Sequence, residues 1–203
     1  MTCINLRGSL GHIIDFEKLS QDSIVVDCGV CVGEFIFRLD EEVDTSKFRI
    51  IGFEPCKTNL KNMPQWPEHM NIKIHDKAIV GTSSPEYTTF YEFTGLSEWG
   101  NVTGLEASTK QKLSDSLKYK VETTTLEKMF DNYDISHIDY LKLDTEGTET
   151  DIVKTMTQDV ANKINQISME VHNKDEKGLE LILKSLGFNT RFDFPNELYG
   201  SRI

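Results

Sequence analysis

The stretch Ile24-Val25-Val26-Asp27-Cys28-Gly29-Val30-Cys31-Val32-Gly33-Glu34 most constrains how this chain can fold. An apolar run ends in an acid, and two glycines four residues apart then open a helix. A second apolar run, Phe48 to Phe53, ends in Glu54. Open α/β folds use that order to hold a nucleoside: backbone approaches the ligand at the glycines, and a carboxylate one strand later meets the ribose hydroxyls. Gly29 permits a sharp turn against a ligand, and Gly33 lets the helix pack close to the strand.

Strand-like and helix-like runs alternate along the rest of the 203 residues, the pattern of an α/β protein with a mainly parallel sheet. Strands are predicted at Ile24–Asp27, Phe48–Phe53, Asn71–Val80, Ile138–Leu143, Ile164–Val171 and Phe188–Phe194. Helices are predicted at Gly33–Val43, Cys56–Asn62, from Thr125, from Thr148, and at Lys174–Leu186, where Gly187 ends the last one. Residues 1–203 read as one domain, with 1–22 as a lead-in and 85–123 as an insertion on the acceptor side. Within that insertion, Tyr119–Thr123 is expected to pair back on Tyr87–Phe93.

Thirty-three acids against 22 bases give a net charge of −11, which disfavours nucleic acid as a partner. Lys110, Lys112, Lys118 and Lys120 are interrupted by Asp115 and Glu122 and read as solvated surface. No run has the length of a membrane span, and the N-terminus lacks a signal-like apolar core, so a cytoplasmic protein is expected. Cysteines 3, 28, 31 and 56 form no disulfide framework.

The loop excludes one cofactor class. A dinucleotide fingerprint needs glycine at positions one, three and six, and here those are Gly29, Cys31 and Glu34. Glu34 at a helix start also repels a diphosphate. A nucleoside donor without phosphate fits better, which selects S-adenosylmethionine, whose ammonium Asp27 could face. Glu54, about 20 residues beyond the loop, is the candidate ribose acid. Asp144 ends the strand Ile138–Leu143, where open α/β sheets place ligands. Thr148 and Asp151 have the spacing of a capping pair, and Glu149 reads equally as a first-turn acid or a functional one.

In order, Asp27-Cys28-Gly29-Val30-Cys31-Val32-Gly33-Glu34-Phe35, Phe53-Glu54-Pro55, Lys77-Ala78-Ile79, Thr124-Thr125-Leu126, Leu141-Lys142-Leu143-Asp144-Thr145-Glu146-Gly147-Thr148-Glu149 and Met169-Glu170-Val171-His172 resemble the FkbM-type family of S-adenosylmethionine-dependent methyltransferases. The resemblance implies a class I methyltransferase fold: a Rossmann-like three-layer sandwich around a mainly parallel seven-stranded sheet, here with a β-hairpin or loop insertion. It implies O-methylation, often of a sugar or polyketide hydroxyl. By position, Asp27, Gly29 and Gly33 would line the donor's amino acid end, Glu54 its ribose, Asp76 and Ala78 its adenine, and Asp144 its sulfonium. The family loop commonly reads Gly-Ala-Asn-x-Gly, and Val30 and Cys31 depart from it.

Methyl transfer from sulfonium is an in-line displacement, and a hydroxyl acceptor gains from a general base. The candidates are Asp144, Glu146, Glu170 and His172, with Asp144 or His172 expected to take the proton. Mg²⁺ held by Asp144, Glu170 and Asn173 is a secondary idea, and no metal is assigned. Trp99, in Leu96–Asn101, is the candidate face for a small-molecule or carbohydrate acceptor. The alternatives are a non-catalytic S-adenosylmethionine-binding module and a thiol-redox protein using Cys28 and Cys31. A nicotinamide oxidoreductase fails the glycine pattern.

Overall fold

A computed structural model describes residues 3–6, 12–104, 113–172, 175–193 and 196–202, with backbone only at 3–6 and 96–99. In chain order its elements are β1 (Cys3–Leu6), β2 (His12–Asp15), β3 (Ile24–Cys28), α1 (Glu34–Glu42), β4 (Arg49–Phe53), α2 (Lys57–Asn62), β5 (Asn71–His75), β6 (Lys77–Ile79), β7 (Tyr87–Phe93), β8 (Leu96–Asn101), β9 (Leu117–Thr124), α3 (Leu126–Asn132), β10 (Ile138–Leu143), α4 (Glu149–Thr155), α5 (Gln158–Ala161), β11 (Ile164–Glu170), α6 (Glu176–Ser185), β12 (Asn189–Asp193) and β13 (Glu197–Ser201).

Seven strands form the main sheet in the order β12-β13-β11-β10-β3-β4-β5. Strand β13 is antiparallel to both its neighbours, and the remaining pairs are parallel. The chain leaves β3 toward β4 and β5 on one side, then returns to β10 and β11 on the other. The crevice at the carboxyl ends of β3 and β10 is therefore the topological switch point, where such sheets bind ligands.

Period-two alternation splits β3 between two cores. Ile24, Val26 and Cys28 pack with Ile51, Phe53, Leu141, Leu143, Ile167 and Met169, beneath Leu126 and Met129 of α3, Ile152 and Val153 of α4, and Leu179 and Leu183 of α6. Val25 packs on the opposite face with Phe35, Ile36 and Leu39 of α1, and with Ile14, Ile50 and Tyr140. Burial on both faces is why these strands read as unbroken apolar runs. Among the described residues, no helix is long and apolar enough to cross a membrane.

The hairpin expected within 85–123 is present: β7 pairs antiparallel with β9, Phe90 opposite Tyr119. It belongs to a second sheet, ordered β6-β9-β7-β8. The expected strand Asn71–Val80 is in fact two strands. Its first half pairs with β4, the chain bends at Asp76, and its second half pairs with β9, Lys77 opposite Glu122. One continuous pattern of alternation runs through a change of sheet, so the break left no mark on it. Strands β1, β2, β8 and β13 were not foreseen. The expected Thr148–Asp151 cap is also absent: Thr148 donates instead to the Ile79 carbonyl at 2.9 Å and to Thr145 Oγ1 at 2.7 Å.

Candidate functional site

Gly29 occupies φ +88°, and a Cβ there would lie 1.7 Å from the Asp144 carbonyl. Only glycine lets the end of β3 lie against the end of β10. Gly33, at φ +95°, caps α1 beneath the Trp66 ring. Four of the five amides from Gly29 to Gly33 are bonded within the protein. Gly29 and Val30 N–H bond the Phe53 carbonyl at 2.9 and 3.3 Å, and Gly33 N–H bonds Val30 at 2.8 Å. Cys31 N–H bonds Glu54 Oε2 at 2.7 Å. A diphosphate site needs such amides free, so the loop does not fit a dinucleotide.

Cys31 has φ 54°, in the left-handed region where a β-carbon is strained. Asparagine tolerates that region better, and asparagine is common here in the family loop. Cys31→Asn should stabilise the fold by up to about 1 kcal/mol and raise the melting temperature by roughly 2–4 °C. An unchanged or lower melting temperature would show that the turn is not strained.

Glu54 is buried and turned toward the loop. Besides Cys31 it accepts from Cys56 N–H at 2.8 Å and Asn59 Nδ2 at 3.3 Å. Burial pushes its carboxyl up, these donors pull it back, and the net value is about 7.

Asp27 is fully buried, and its partner is the Lys142 ammonium, 2.9 Å away. The cation that Asp27 meets is therefore the protein's own. Lys142, 2 % exposed, also donates to the Gly29 carbonyl at 2.8 Å and lies 3.6 Å from Asp144 Oδ2. His12 Nε2 stands 3.5 Å from the same oxygen. Burial alone would raise Asp144, but Lys142 and His12 outweigh it and hold the carboxyl well below its ordinary range. Burial would likewise depress Lys142, and Asp27 with Asp144 instead keeps it charged.

The turn after β10 is built around Glu149. Fully buried, it accepts from Thr145 N–H at 2.7 Å, Thr145 Oγ1 at 3.1 Å and Gly147 N–H at 3.0 Å. Its two readings resolve toward structure: the first-turn acid of α4 holds the turn that presents Asp144 and Glu146. Glu146 takes φ 54° and Gly147 φ 112°. His172 follows β11, with Nδ1 3.2 Å from Glu149 and Nε2 3.4 Å from Glu146 and 3.8 Å from Glu170. Burial lowers its pKa, but Glu146 and Glu149 lift it to about 11. Burial raises Glu146, only partly offset by His172.

The structure thus gathers Asp144, Glu146, Glu170 and His172 at one edge, with Gly29 against Asp144 and Glu54 against the loop. Asp76 is exposed in the bend between β5 and β6, and Ala78 packs with Cys56, Val80, Phe90 and Val121. Donor atoms of Asp144, Glu149 and His172 come within 4.8 Å of one another. Glu149 is already engaged by the turn, and His172 carries a proton at neutral pH. Asn173, residues 105–112 and the Trp99 side chain lie outside the described residues. Cys28 is fully buried and its thiol is pushed far up by burial, which makes it an unreactive core residue. Lys142, His12 and Glu197 went unassigned in the sequence. Only Lys142 left a signal, as a cation between two leucines of a buried strand.

The Methyltransferase FkbM domain matches residues 27–190. A solved FkbM methyltransferase from Methylobacillus flagellatus shares the fold, with a TM-score of 0.55 at 18% identity over 90% of this chain and 44% of its own. A TehB-like SAM-dependent methyltransferase from Corynebacterium glutamicum aligns with a TM-score of 0.44 at 7% identity, over 92% of this chain and 84% of its own. Among curated proteins, the AMB antimetabolite synthetase AmbE of Pseudomonas aeruginosa is 23% identical over 188 residues, which cover 77% of this chain. This chain spans only 9% of that synthetase's length. The matched domain takes in the glycine loop, Glu54, the turn after β10 and His172, and the chain belongs to the FkbM methyltransferase family.

Proposed function

We propose that this methyltransferase moves a methyl group from S-adenosylmethionine to a hydroxyl of a small molecule or sugar. One observation carries the choice of donor. Four of the five loop amides are used internally, while two carboxylates, Glu54 and Asp144, flank the loop. That arrangement suits a ligand with a diol and a cation and no phosphate. When bound, the donor supplies an electrophilic methyl on a sulfonium.

The chain's own groups then divide the work. Glu54, through Oε2, accepts a ribose hydroxyl. Asp144, held ionised, faces the sulfonium, and Gly29 and Gly33 leave room for the amino acid end. Asp76 and Ala78 border the adenine side. An efficient base has a pKa near the working pH. Asp144 is held too acidic and His172 is already protonated; of the two remaining carboxylates, Glu146 is the less exposed, 26 % against 39 % for Glu170, and lies nearer His172, so it is taken as the base. His172 orients it, and Glu170 orients His172. The sheet carrying β7–β9 borders the acceptor.

Glu146→Gln should slow transfer on the order of a hundredfold and leave adenosylhomocysteine affinity unchanged. The activity itself is tested by incubating the protein with methyl-labelled adenosylmethionine and fractionated metabolites. Label on an acceptor carrying the mass gain of one methylene is the expected result. Donor binding without transfer would indicate a non-catalytic binding module.

A further inference from the structure

Two residues outside the family-matched segment reach the centre of the site. His12 lies on β2 before residue 27, and Glu197 lies on β13 after residue 190. Strand β2 rests on the polar end of the sheet face. Ile13 N–H donates to Ser168 Oγ at 3.1 Å and Glu197 Oε1 at 3.3 Å, Asp15 N–H to Gln166 at 2.9 Å, and Tyr140 OH to the Ile13 carbonyl at 3.0 Å. This docking seats His12, 1 % exposed, edge-on to Phe35 of α1. Its Nδ1 lies 3.3 Å from Glu197 Oε1, and its Nε2 lies 3.5 Å from Asp144 Oδ2. Glu197 is further held by the Ser168 hydroxyl.

Both cations beside Asp144, Lys142 and His12, contact Oδ2. The nearest approach of each cation is to that oxygen, on a side chain 16 % exposed, and Oδ1 is taken as the oxygen for a ligand. We propose that His12, braced by Glu197, is a positioning residue for Asp144: it fixes which oxygen faces the donor and sets the charge beneath the sulfonium. This rests on the donor being adenosylmethionine. Burial opposes a charge on His12, yet Asp144 and Glu197 raise its pKa to about 9, so it is cationic at neutral pH. His12 thus offsets part of the negative charge of the two carboxylates that flank it, Asp144 and Glu197. The charge of that pair favours the cationic donor over the neutral thioether product, and His12 moderates the preference.

The test is calorimetric titration of adenosylmethionine and adenosylhomocysteine into wild type, His12→Gln and Glu197→Gln. Removing a cation should raise the preference for adenosylmethionine, and removing an anion should lower it, each several-fold to about tenfold. A purely structural role would not move the ratio in opposite directions. Equal ratios in all three proteins, or shifts of one sign, would overturn the proposal. Should His12→Gln fail to fold, His12→Asn makes the same charge change. If wild type binds neither compound, the donor assignment falls, and this proposal with it.

Discussion

Asp144→Asn should cut methyl transfer on the order of a thousandfold, the usual scale for a group aimed at charge in a transition state. The change is nearly isosteric. The Asp144 main chain still donates to the Cys28 carbonyl at 3.0 Å and still abuts Gly29, so the junction of β3 and β10 survives. The charge is what goes. Lys142 and His12 would then face an amide in place of a carboxylate, and a sulfonium would have no anion beside it. Circular dichroism should show the native fold, and stopped assays with labelled donor should show the loss. Wild-type turnover in Asp144→Asn would remove this carboxylate from the mechanism.

Glu54→Gln should weaken adenosylhomocysteine binding on the order of ten- to a hundredfold. A hydrogen bond to a charged acceptor contributes about 1.5–3 kcal/mol, and Oε2, which accepts from Cys31 N–H, keeps a lone pair for one ribose hydroxyl. The pH dependence follows from the burial of Glu54. Its folded pKa of about 7 lies above the ordinary 4.5. In wild type, affinity should rise as pH passes upward through about 7, because only then is the acceptor ionised. Stability should move the opposite way. Between those two values the folded protein keeps a proton that the unfolded chain has released, so rising pH favours unfolding. Glu54→Gln should abolish the affinity trend and flatten the stability trend, to which Glu146, His12 and His172 still contribute, read by calorimetry and by thermal melts across that range. Affinity that stays flat with pH in wild type would mean that Glu54 does not meet the ligand.

The parallel core and the crevice were legible because each rests on a local pattern. Ile24–Asp27, Phe48–Phe53 and Ile138–Leu143 are apolar runs ending in an acid or just before one, and the two glycines mark a close backbone approach: a Cβ at Gly29 would come within 1.7 Å of the Asp144 carbonyl. What could not be read is long-range. His12 and Glu197 are 185 positions apart, and nothing near either announces a shared partner. Protonation states were equally hidden. Asp144 and His172 seemed the natural bases until Lys142, His12 and Glu149 were seen around them, and those neighbours turn one into a fixed anion and the other into a fixed cation. Asp27 was read as facing a ligand's ammonium, and what the sequence did not announce is Lys142, one strand away, 2.9 Å from one of its oxygens.

The central claim is that the crevice between the Gly29–Gly33 loop and Glu54 holds an adenosyl sulfonium donor and no dinucleotide. Calorimetric titration of the purified protein with adenosylhomocysteine and, separately, with NAD tests it directly. One-to-one binding of adenosylhomocysteine with no heat from NAD is the predicted result. Binding of NAD, or silence with adenosylhomocysteine, would contradict it.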